Sequence, residues 1–421
     1  MPATDMAGRW LILADDLTGA ADCAIAFGRR GLAAAVTWGD ATRIEPGRLP
    51  ALAYDADSRG LPAEAAARRH AEILERLLEP DRILFKKIDS TLRGQPAAET
   101  AAAIACLKAG AGAAFGICAP AFPATGRTTV AGHVHVDGRP LEEAEVWRRD
   151  HTYASADLAL VLASAGIRVE KVPLAAVRSP DLASAFARIA ASGDVVAVCD
   201  AETEADLGHI AAASLSTAPT AFFIGSAGLA HALAAVETMV PRVPVRIPPT
   251  ARGTLFVVGS LAATSRSAAR KLAGRGCVAH LPVSPETLLG DPAGRAALAA
   301  RVAAVIAAGD DALVEIAMDG APDMILGPRL AHGLADALDP IARQIGAIAA
   351  TGGETAAALL ARFGIHGIRL VDEIEPGVSL GLTLGRLSVP VATKAGAFGD
   401  EDSLIRIGAR LRAVRTEGSF S

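Results

Sequence analysis

Residues 10–22 read WLILADDLTGAAD, an apolar run of strand length that ends at two adjacent carboxylates, Asp15 and Asp16. The run, the polar break and the alanine-rich segment after it predict a strand, a loop and a helix. Because open α/β sheets bind ligands at the carboxyl ends of their strands, we expect both carboxylates to lie at a ligand site. A cation or a substrate hydroxyl would offset their mutual repulsion. The alternative is that Asp16 or Thr18 only caps the helix.

The length and composition of the chain indicate a globular protein with more than one core. Its 421 residues exceed one ordinary domain, 51% of them are hydrophobic, and the mean hydropathy is +0.35. The net charge of −5 and the aromatic content of 4% argue against a nucleic-acid partner. Every apolar run is too short to span a bilayer, and the first residues do not resemble a signal peptide. We therefore expect a soluble, cytoplasmic protein with no membrane partner.

The cysteines and histidines do not form a metal-binding or disulfide pattern. The five cysteines are odd in number and scattered, without a CxxC pair, which argues against a disulfide framework or a zinc cluster. His133 and His135 would share one face of a strand, as metal ligands can. The neighbouring sequence offers no third ligand, so we predict no protein-built metal site.

The order of strand and helix patterns predicts an α/β protein with two α/β domains, each a mostly parallel sheet flanked by helices. A second strand is predicted at residues 32–37. The segment 51–59 repeats the design of the opening stretch, since its apolar run ends in acids and Arg59. A further strand is predicted at residues 130–136, turning at Asp137-Gly138, which adds a β-hairpin excursion to the first domain.

A proline-rich segment at residues 240–250 separates the two predicted domains. Four prolines in eleven residues exclude a helix or a central strand and indicate an extended linker. The predicted bounds are therefore an N-terminal domain at 1–240, a linker at 241–252 and a C-terminal domain at 253–421.

Residues 86–94 read KKIDSTLRG and place many polar groups at the end of a predicted strand. Lys86 and Lys87 are two of only six lysines in the chain. Lysine suits phosphate as a compact charge, whereas the arginine fork suits a carboxylate. The cluster therefore fits a small, anionic, hydroxyl-bearing ligand. The alternative is a solvated loop with an internal salt bridge.

In the second half of the chain, glycines rather than charged residues follow the predicted strands. Residues 348–355 read IAATGGET, so paired glycines separate a strand from a helix, and Gly259-Ser260 follows another strand. Such loops let backbone amides approach a phosphate at a helix N-terminus. Glu354 in the first turn is equally suited to plain capping. Lys394, at a strand end beside glycines, is either a phosphate contact or a surface lysine. The chain contains neither a GxxxxGK[ST] nor a GxGxxG motif.

Six separated motifs together resemble the four-carbon acid sugar kinase family over nearly the whole chain. They are LADDLTGA at 13–20, KIDSTLRG at 87–94, FPATGR at 122–127, GSAGLA at 225–230, GGET at 352–355 and KAGAFG at 394–399. The resemblance implies an N-terminal sugar-acid-binding domain and a C-terminal ATP-binding domain. It also implies phosphoryl transfer to the terminal hydroxyl of D-threonate, D-erythronate or a 3-oxo-tetronate, and the KIDSTLRG form is closer to the first two.

The same resemblance assigns site residues. It implies that the acid sugar binds at Asp15, Asp16, Asp89 and Arg93. It implies that ATP binds at Ser260, Gly352, Gly353, Glu354, Thr355 and Gly396. Position 397 is Ala, where similar kinases often carry a polar residue.

The chemistry of phosphoryl transfer suggests roles for these residues. Arg93 would hold the substrate carboxylate, and Asp16 or Asp15 would orient the primary hydroxyl and accept its proton. Lys87 and Lys394 would offset charge on the transferring phosphoryl group. Mg²⁺ would be bound mainly by the nucleotide phosphates. We also expect a homodimer.

Two other functions fit parts of the sequence. A phosphatase of the haloacid dehalogenase type also opens with a strand-end Asp, but it needs a second Asp two residues later, where this chain has Leu17. A non-catalytic sugar-acid-binding protein could use the same scaffold.

Overall fold

The computed structural model forms two compact units. The first unit contains Met1–Ala34 and Pro46–Pro241, and the second contains Ala35–Glu45 and Arg242–Ser421. The residues that the structure describes are 8–40, 44, 46–217, 221–237, 239, 241–260, 262–317, 326–396 and 398–420.

The strands are numbered along the chain. They are β1 (Arg9–Ala14), β2 (Ala34–Thr37), β3 (Ala51–Asp55), β4 (Arg82–Lys87), β5 (Phe115–Ala119), β6 (Arg127–Val130), β7 (His133–Val136), β8 (Arg139–Pro140), β9 (Val169–Val172), β10 (Val195–Cys199), β11 (Phe222–Gly225), β12 (Thr254–Val258), β13 (Val278–Val283), β14 (Asp311–Ile316), β15 (Ala347–Thr351), β16 (Ile365–Glu375), β17 (Val378–Gly385) and β18 (Pro390–Lys394).

The helices are numbered in the same way. They are α1 (Leu17–Gly28), α2 (Ala63–Leu77), α3 (Pro96–Ala111), α4 (Glu145–Arg149), α5 (Leu158–Ala163), α6 (Leu174–Val177), α7 (Leu182–Ala190), α8 (Glu204–Thr217), α9 (Ala227–Val236), α10 (Ala263–Gly274), α11 (Pro285–Gly290), α12 (Pro292–Ala307), α13 (Gly327–Leu338), α14 (Gly353–Arg362) and α15 (Ser403–Glu417).

The first unit is built on a parallel sheet in the order β3-β1-β4-β11-β5-β10-β9. Helices α1, α9, α8 and α7 pack together in one layer, and α2, α3 and α5 pack together in another. Strand β1 lies between two helix layers, which explains why residues 10–13 are all apolar and fully buried. Strands β3 and β4 flank β1 on opposite sides, so the strand order reverses there, where open sheets bind ligands.

The second unit contains a mixed sheet. Strands β13-β14-β12-β15-β18 are parallel, and β17 and β16 continue the sheet in antiparallel order. Helices α11 to α14 pack together, and α10 packs against α15. Strand β12 lies between β14 and β15, so this sheet also reverses its strand order beside its first strand. The predicted fold class, two mostly parallel sheets with flanking helices, is confirmed.

The predicted strand at 32–37 exists, but it belongs mostly to the other unit. Residues 35–45 group with the second unit. The hydroxyl of Thr37 donates a hydrogen bond to the backbone carbonyl of His366 at 2.7 Å. The hydrophobic pattern therefore identified the strand but could not identify its neighbour.

The predicted continuous strand at 130–136 is wrong. Ala131 and Gly132 have positive φ values of 53° and 79°, and this turn separates β6 from β7. The carboxylate of Asp200 accepts hydrogen bonds from the amides of Ala131 and Gly132 at 2.9 and 2.7 Å, which stabilises the turn. The predicted turn at Asp137-Gly138 is confirmed, with φ values of 51° and 77°.

The proline-rich segment is extended and packs along the second unit. Residues 242–252 contain neither a helix nor a named strand. Val245 is buried in the core of the second unit. The amide of Ile247 donates to the carbonyl of Gly418 at 3.0 Å, just beyond α15. The segment thus has the predicted conformation and is also fixed by hydrogen bonds.

In the part of the chain that the structure describes, no helix combines the length and the apolar character needed to cross a bilayer.

Candidate functional site

Asp15 and Asp16 follow β1 directly and open α1. Asp16 is the N-cap of α1, and its Oδ1 accepts a hydrogen bond from the amide of Gly19 at 3.2 Å. The hydroxyl of Thr18 donates to Oδ2 of Asp16 at 2.7 Å. The capping alternative is therefore observed. It does not exclude a second role, because both carboxylates also contact cations.

Arg59 is the first of these cations, and the sequence prediction of site residues missed it. Its Nε donates to Oδ2 of Asp15 at 2.7 Å, and its Nη2 donates to Oδ1 of Asp16 at 2.9 Å. Nη2 also lies 3.4 Å from Oδ2 of Asp89. The available signal was the position of Arg59 just after β3, which pairs in parallel with β1. Parallel strands end at the same sheet edge, so residues that follow them meet there.

Lys87 is the second cation and ends β4. Its Nζ lies 2.9 Å from Oδ1 of Asp16 and 3.3 Å from Oδ1 of Asp15. Gly19 provides the space, because a Cβ at that position would lie 2.2 Å from Nζ of Lys87. The structure therefore brings the two predicted carboxylates and the predicted lysine together.

Asp89 and Arg93 form the outer part of the cluster. Nη2 of Arg93 donates to Oδ2 of Asp89 at 2.7 Å, and Nε donates to Oδ1 at 3.2 Å. The amide of Thr91 also donates to Asp89, at 2.9 Å. The internal salt bridge of the alternative interpretation is present. However, Asp89 is buried, so the loop is not simply solvated.

Burial and cations act in opposite directions on the carboxylates. Burial alone would raise the pKa of Asp15, but Arg59 and Lys87 outweigh it and lower that pKa. The pKa of Asp16 is lowered by the same two cations against burial. Burial would also raise the pKa of Asp89, but Arg93 and Arg59 hold it well below its usual range. The three carboxylates are therefore ionised at neutral pH and balance three cations.

The exposed edge of this cluster identifies the groups that a ligand can reach. The side chain of Asp16 is 13% exposed, whereas that of Asp15 is 3% exposed. The guanidinium-bearing side chains of Arg59 and Arg93 are 24% and 27% exposed. A ligand would thus meet Asp16, Arg59 and Arg93 first.

In the second unit, three predicted nucleotide-binding residues follow neighbouring strands. Ser260, Gly352 and Gly396 come shortly after β12, β15 and β18. Gly352 has a φ of +90°, and a Cβ there would lie 3.4 Å from Cβ of Ser260. A Cβ at Gly396 would lie 2.2 Å from Oγ of Ser260. The positive φ favours glycine at position 352, and a side chain at position 396 would require the Ser260 hydroxyl to move.

Gly353, Glu354 and Thr355 form the first turn of α14. Gly352 at the N-cap has no side chain and cannot cap their amides. Glu354 is exposed, whereas Thr355 is buried against Gly259, where a Cβ would lie 2.1 Å from its hydroxyl oxygen. Backbone amides and the helix dipole at this N-terminus suit an anion such as phosphate.

Lys394 lies beneath this loop with its side chain fully buried. Its Nζ donates to Oγ of Ser265 and to the carbonyl of Ala395, both at 3.2 Å. Oγ of Ser265 in turn donates to the carbonyl of Gly396 at 2.8 Å. Burial lowers the pKa of Lys394 to about 8, against opposing effects of Glu375 and Asp400. Lys394 thus supports the loop, and its direct contact with a phosphate stays a prediction. Position 397 lies outside the described residues.

Two models of known protein domains match the two halves of the chain. A family model described as a sugar-binding N-terminal domain matches residues 10–233, and one described as a nucleotide-binding C-terminal domain matches residues 255–404. The chain therefore belongs to a class of proteins that join a sugar-binding domain to a nucleotide-binding domain.

Curated relatives narrow that class. A D-threonate kinase from Cupriavidus necator is 43% identical over 94% of this chain and 96% of its own length. A D-threonate kinase from Bordetella bronchiseptica is 35% identical over 96% of this chain and 98% of its own length. A D-erythronate kinase from Heliobacterium modesticaldum is 29% identical over 93% of this chain and 94% of its own length. The chain belongs to the four-carbon acid sugar kinase family, as predicted, and is a phosphotransferase with an alcohol group as acceptor.

Two solved structures share the fold. A Haemophilus influenzae protein has a TM-score of 0.73 and 22% identity, covering 95% of this chain and all of its own. A Salmonella typhimurium protein has a TM-score of 0.78 and 23% identity, covering 95% of this chain and 98% of its own. At these identities the likeness supports the fold alone.

Proposed function

We propose that this protein is an ATP-dependent kinase that phosphorylates the terminal (C4) hydroxyl of a four-carbon acid sugar, with D-threonate as the first candidate and D-erythronate as the second. The observation that carries the proposal is the buried cluster of carboxylates and cations around Asp15. Such a cluster offers both charged donors for a carboxylate and acceptors for hydroxyls. The similarity to two D-threonate kinases over nearly their full lengths supports the choice of substrate.

The substrate carboxylate would bind to the exposed arginines. Asp89 occupies one edge of the Arg93 fork, so the sugar acid would bind through the remaining edge of Arg93 and through Arg59. Arg59 and Arg93 are the more exposed cations of the cluster, so the free faces of their guanidinium groups are best placed to receive the carboxylate of the substrate. Asp89 would accept a hydrogen bond from a substrate hydroxyl.

Asp16, rather than Asp15, would orient the primary hydroxyl and accept its proton. Asp16 is the more exposed of the two carboxylates. Its lowered pKa makes it ionised at neutral pH. Phosphoryl transfer through a loose transition state demands positioning more than a strong base, so a low pKa is compatible with this role. Lys87, which contacts Asp16, would offset charge on the transferring group.

The second unit would bind ATP. The first-turn amides of α14 and the close approach of Gly352 and Gly396 to Ser260 support a phosphate site built from backbone groups. Mg²⁺ would arrive with the nucleotide and be held mainly by its phosphates. We assign the sugar-acid domain to residues 1–240, although residues 35–45 group with the second unit, the linker to 241–252 and the ATP domain to 253–421. A homodimer and a cytoplasmic location stay predictions from the sequence and the family resemblance.

An ATP-coupled screen tests the proposal. ADP formation would be measured with both enantiomers of threonate and erythronate and with 3-oxo-tetronates, and phosphorus NMR would locate the new phosphate. We expect ADP formation with D-threonate and a C4 phosphate ester. Turnover only with a 3-oxo-tetronate would replace the substrate assignment. Binding of the acids without ADP formation would favour a binding protein, and phosphate release without ATP would favour a phosphatase.

A further inference from the structure

A second polar cluster lies in the first unit, behind the residues to which the reaction is assigned. It contains Ser58, His70, Lys86 and Glu99, whose side chains are at most 2% exposed. No substrate can reach these groups in this structure. Buried polar networks of this kind are costly unless all their members are paired, so the arrangement needs an explanation.

Glu99, from helix α3, is the centre of this cluster because each of its two oxygens has a different partner. The hydroxyl of Ser58 donates to Oε1 at 2.7 Å. The ammonium group of Lys86 lies 2.8 Å from Oε2. One carboxylate therefore joins the loop after β3 to the end of β4.

His70 completes the cluster on the side of Ser58. Its Nε2 lies 3.0 Å from Oγ of Ser58. Burial, assisted by Lys86, lowers the pKa of His70 to about 4, so the ring is neutral at pH 7. The Ser58 hydroxyl already donates to Glu99, so it accepts from a protonated Nε2 of His70. The hydrogen bonds thus run in one direction, from His70 through Ser58 to Glu99.

Both partners of Glu99 immediately precede a cation of the candidate site. Ser58 precedes Arg59, and Lys86 precedes Lys87. Successive residues of a strand point to opposite faces, so Lys86 points towards Glu99 of α3 while Lys87 points towards Gly19 of α1. Fixing Lys86 therefore fixes the strand end from which Lys87 projects.

Hydrogen bonds to backbone carbonyls also hold the segments that carry Arg59 and Lys87. The amides of Ser58 and Arg59 both donate to the carbonyl of Asp15, at 3.1 and 3.3 Å. Nζ of Lys86 donates to the carbonyl of Lys87 at 2.5 Å. The segments that carry Arg59 and Lys87 are thus held by their backbones, and Glu99 holds the residue beside each.

We propose that Glu99 is a positioning residue for sugar-acid phosphorylation, which sets the places of Arg59 and Lys87 through Ser58 and Lys86. This proposal rests on the proposed function of the Asp15 cluster. Glu99 does not contact the substrate. It fixes the two cations that contact both Asp15 and Asp16, and so fixes the geometry of the site.

Kinetics of Glu99→Gln test the proposal. The amide keeps the shape of the side chain but cannot accept from Ser58 and Lys86 as a carboxylate does. We expect kcat/KM for the sugar acid to fall about 100-fold, because a shift of Arg59 and Lys87 by about 1 Å would misplace the reacting groups to that extent. KM for ATP should stay unchanged. Glu64→Gln, at a side chain that is 92% exposed, is the matched control. Unchanged kcat/KM for the sugar acid in Glu99→Gln would overturn the proposal.

A double variant separates positioning from charge balance. Glu99→Gln leaves Lys86 without its carboxylate, and adding Lys86→Met removes that buried charge. We expect the double variant to regain thermal stability while kcat/KM for the sugar acid stays low. Recovery of wild-type kcat/KM would mean that Glu99 only neutralises Lys86, which contradicts positioning.

Ser58→Ala removes the hydrogen bonds of Ser58 to Glu99 and to His70 but keeps the Glu99–Lys86 pair, so it gives a test if the Glu99 variants do not fold. We expect KM for the sugar acid to rise about 10-fold, the effect of one lost supporting hydrogen bond to a charged group. A crystal structure of Ser58→Ala would show the contact between Arg59 and Asp15, now 2.7 Å, lengthened. That measurement needs no substrate, so an unchanged contact overturns the positioning role even if the protein phosphorylates no tetronate.

Discussion

The two units place their candidate sites at equivalent points of their sheets but build them from different groups. In the first unit, the loops after β1, β3 and β4 contribute charged side chains that neutralise one another. In the second unit, the loops after β12, β15 and β18 contribute glycines and backbone amides. Charged side chains suit the carboxylate and the hydroxyls of a small acid, whereas backbone amides suit the phosphates that all nucleotides share. From this difference we expect substrate selectivity to reside in the first unit.

The largest expected effect is the loss of the charge at Asp16. Asp16→Asn keeps an oxygen that caps α1, so the fold should survive. It removes the negative charge that orients the hydroxyl, and we expect kcat to fall about 1000-fold, in the range for a lost proton acceptor. Steady-state kinetics with D-threonate would measure this. Asp150→Asn, at an exposed position, should leave kcat unchanged. An unchanged kcat in Asp16→Asn would move the role to another residue.

The charged network should also make the first unit sensitive to acid. His70 has a pKa of about 4 in the folded protein, against 6.5 for an unperturbed histidine. The unfolded state therefore binds more protons between these values, and stability falls as the pH falls from 6.5 to 4. The pKa shift of His70 corresponds to a loss of about 3 kcal/mol in the free energy of unfolding over this pH range. His70→Gln keeps a hydrogen-bond donor for Ser58 but has no titratable ring, so its stability should not show this fall between pH 6.5 and pH 4.

Thermal unfolding of wild type and His70→Gln at several pH values between 4 and 7 measures that difference. Asp55 acts in the opposite direction, because burial raises its pKa from 3.8 to about 8, so its contribution is lost as the pH rises through that range. Both proteins contain Asp55, so the difference between them isolates His70. Parallel pH profiles for the two proteins would show that His70 carries no acid sensitivity.

Arg93→Lys tests the arginine fork of the first unit. Lysine keeps the charge but loses parallel hydrogen bonding. We expect KM for the sugar acid to rise about 10-fold or more, the effect of one charge-assisted hydrogen bond, while KM for ATP stays the same. Arg148→Lys, at an exposed position, is the control. Equal increases in both KM values would refute the assignment of Arg93 to the carboxylate.

Gly352→Ala is the corresponding test in the second unit. A Cβ at a φ of +90° costs about 1–2 kcal/mol and approaches Ser260. We expect KM for ATP to rise about 10-fold or less, because a backbone shift that relieves the strain would move the first-turn amides of α14 away from the phosphate, and KM for the sugar acid to stay constant. Gly193→Ala, with a φ of +93° and no atom within 4 Å of the added Cβ, also places a side chain at a positive φ, but away from the site. The same KM for ATP in both variants would argue against a phosphate at Gly352.

Sequence reasoning found the charged residues of the first unit that stand directly at strand ends. Asp15, Asp16 and Lys87 were identifiable because carboxylates and lysines interrupt apolar runs. Arg59 was missed. The sequence places it after β3, an apolar run that ends in acids as β1 does, but does not show that β3 pairs with β1. Glu99 gave no signal, because a glutamate in the first turn of a helix is also an ordinary feature of helices.

The second unit shows a different limit. The paired glycines at 352–353 were visible, but the fully buried position of Lys394 was not, since the residue type does not specify which way a strand-end side chain turns. The prediction of a single strand at 130–136 was wrong because it, too, depended on a contact with a distant segment. Gly132 and Ala131 take up positive φ values in a turn whose amides bond to Asp200, which is distant in sequence.

The sequence by itself determined the alternation of strands and helices, the chemical type of each candidate site and the family of the protein. These depend on local periodicity and on residue type, both of which are properties of short segments. The tertiary structure decided that Arg59 and Lys87 meet at Asp15 and Asp16, that residues 35–45 group with the second unit, and that Lys394 faces inward. Those outcomes depend on strand order and on contacts between distant segments, which no local pattern specifies.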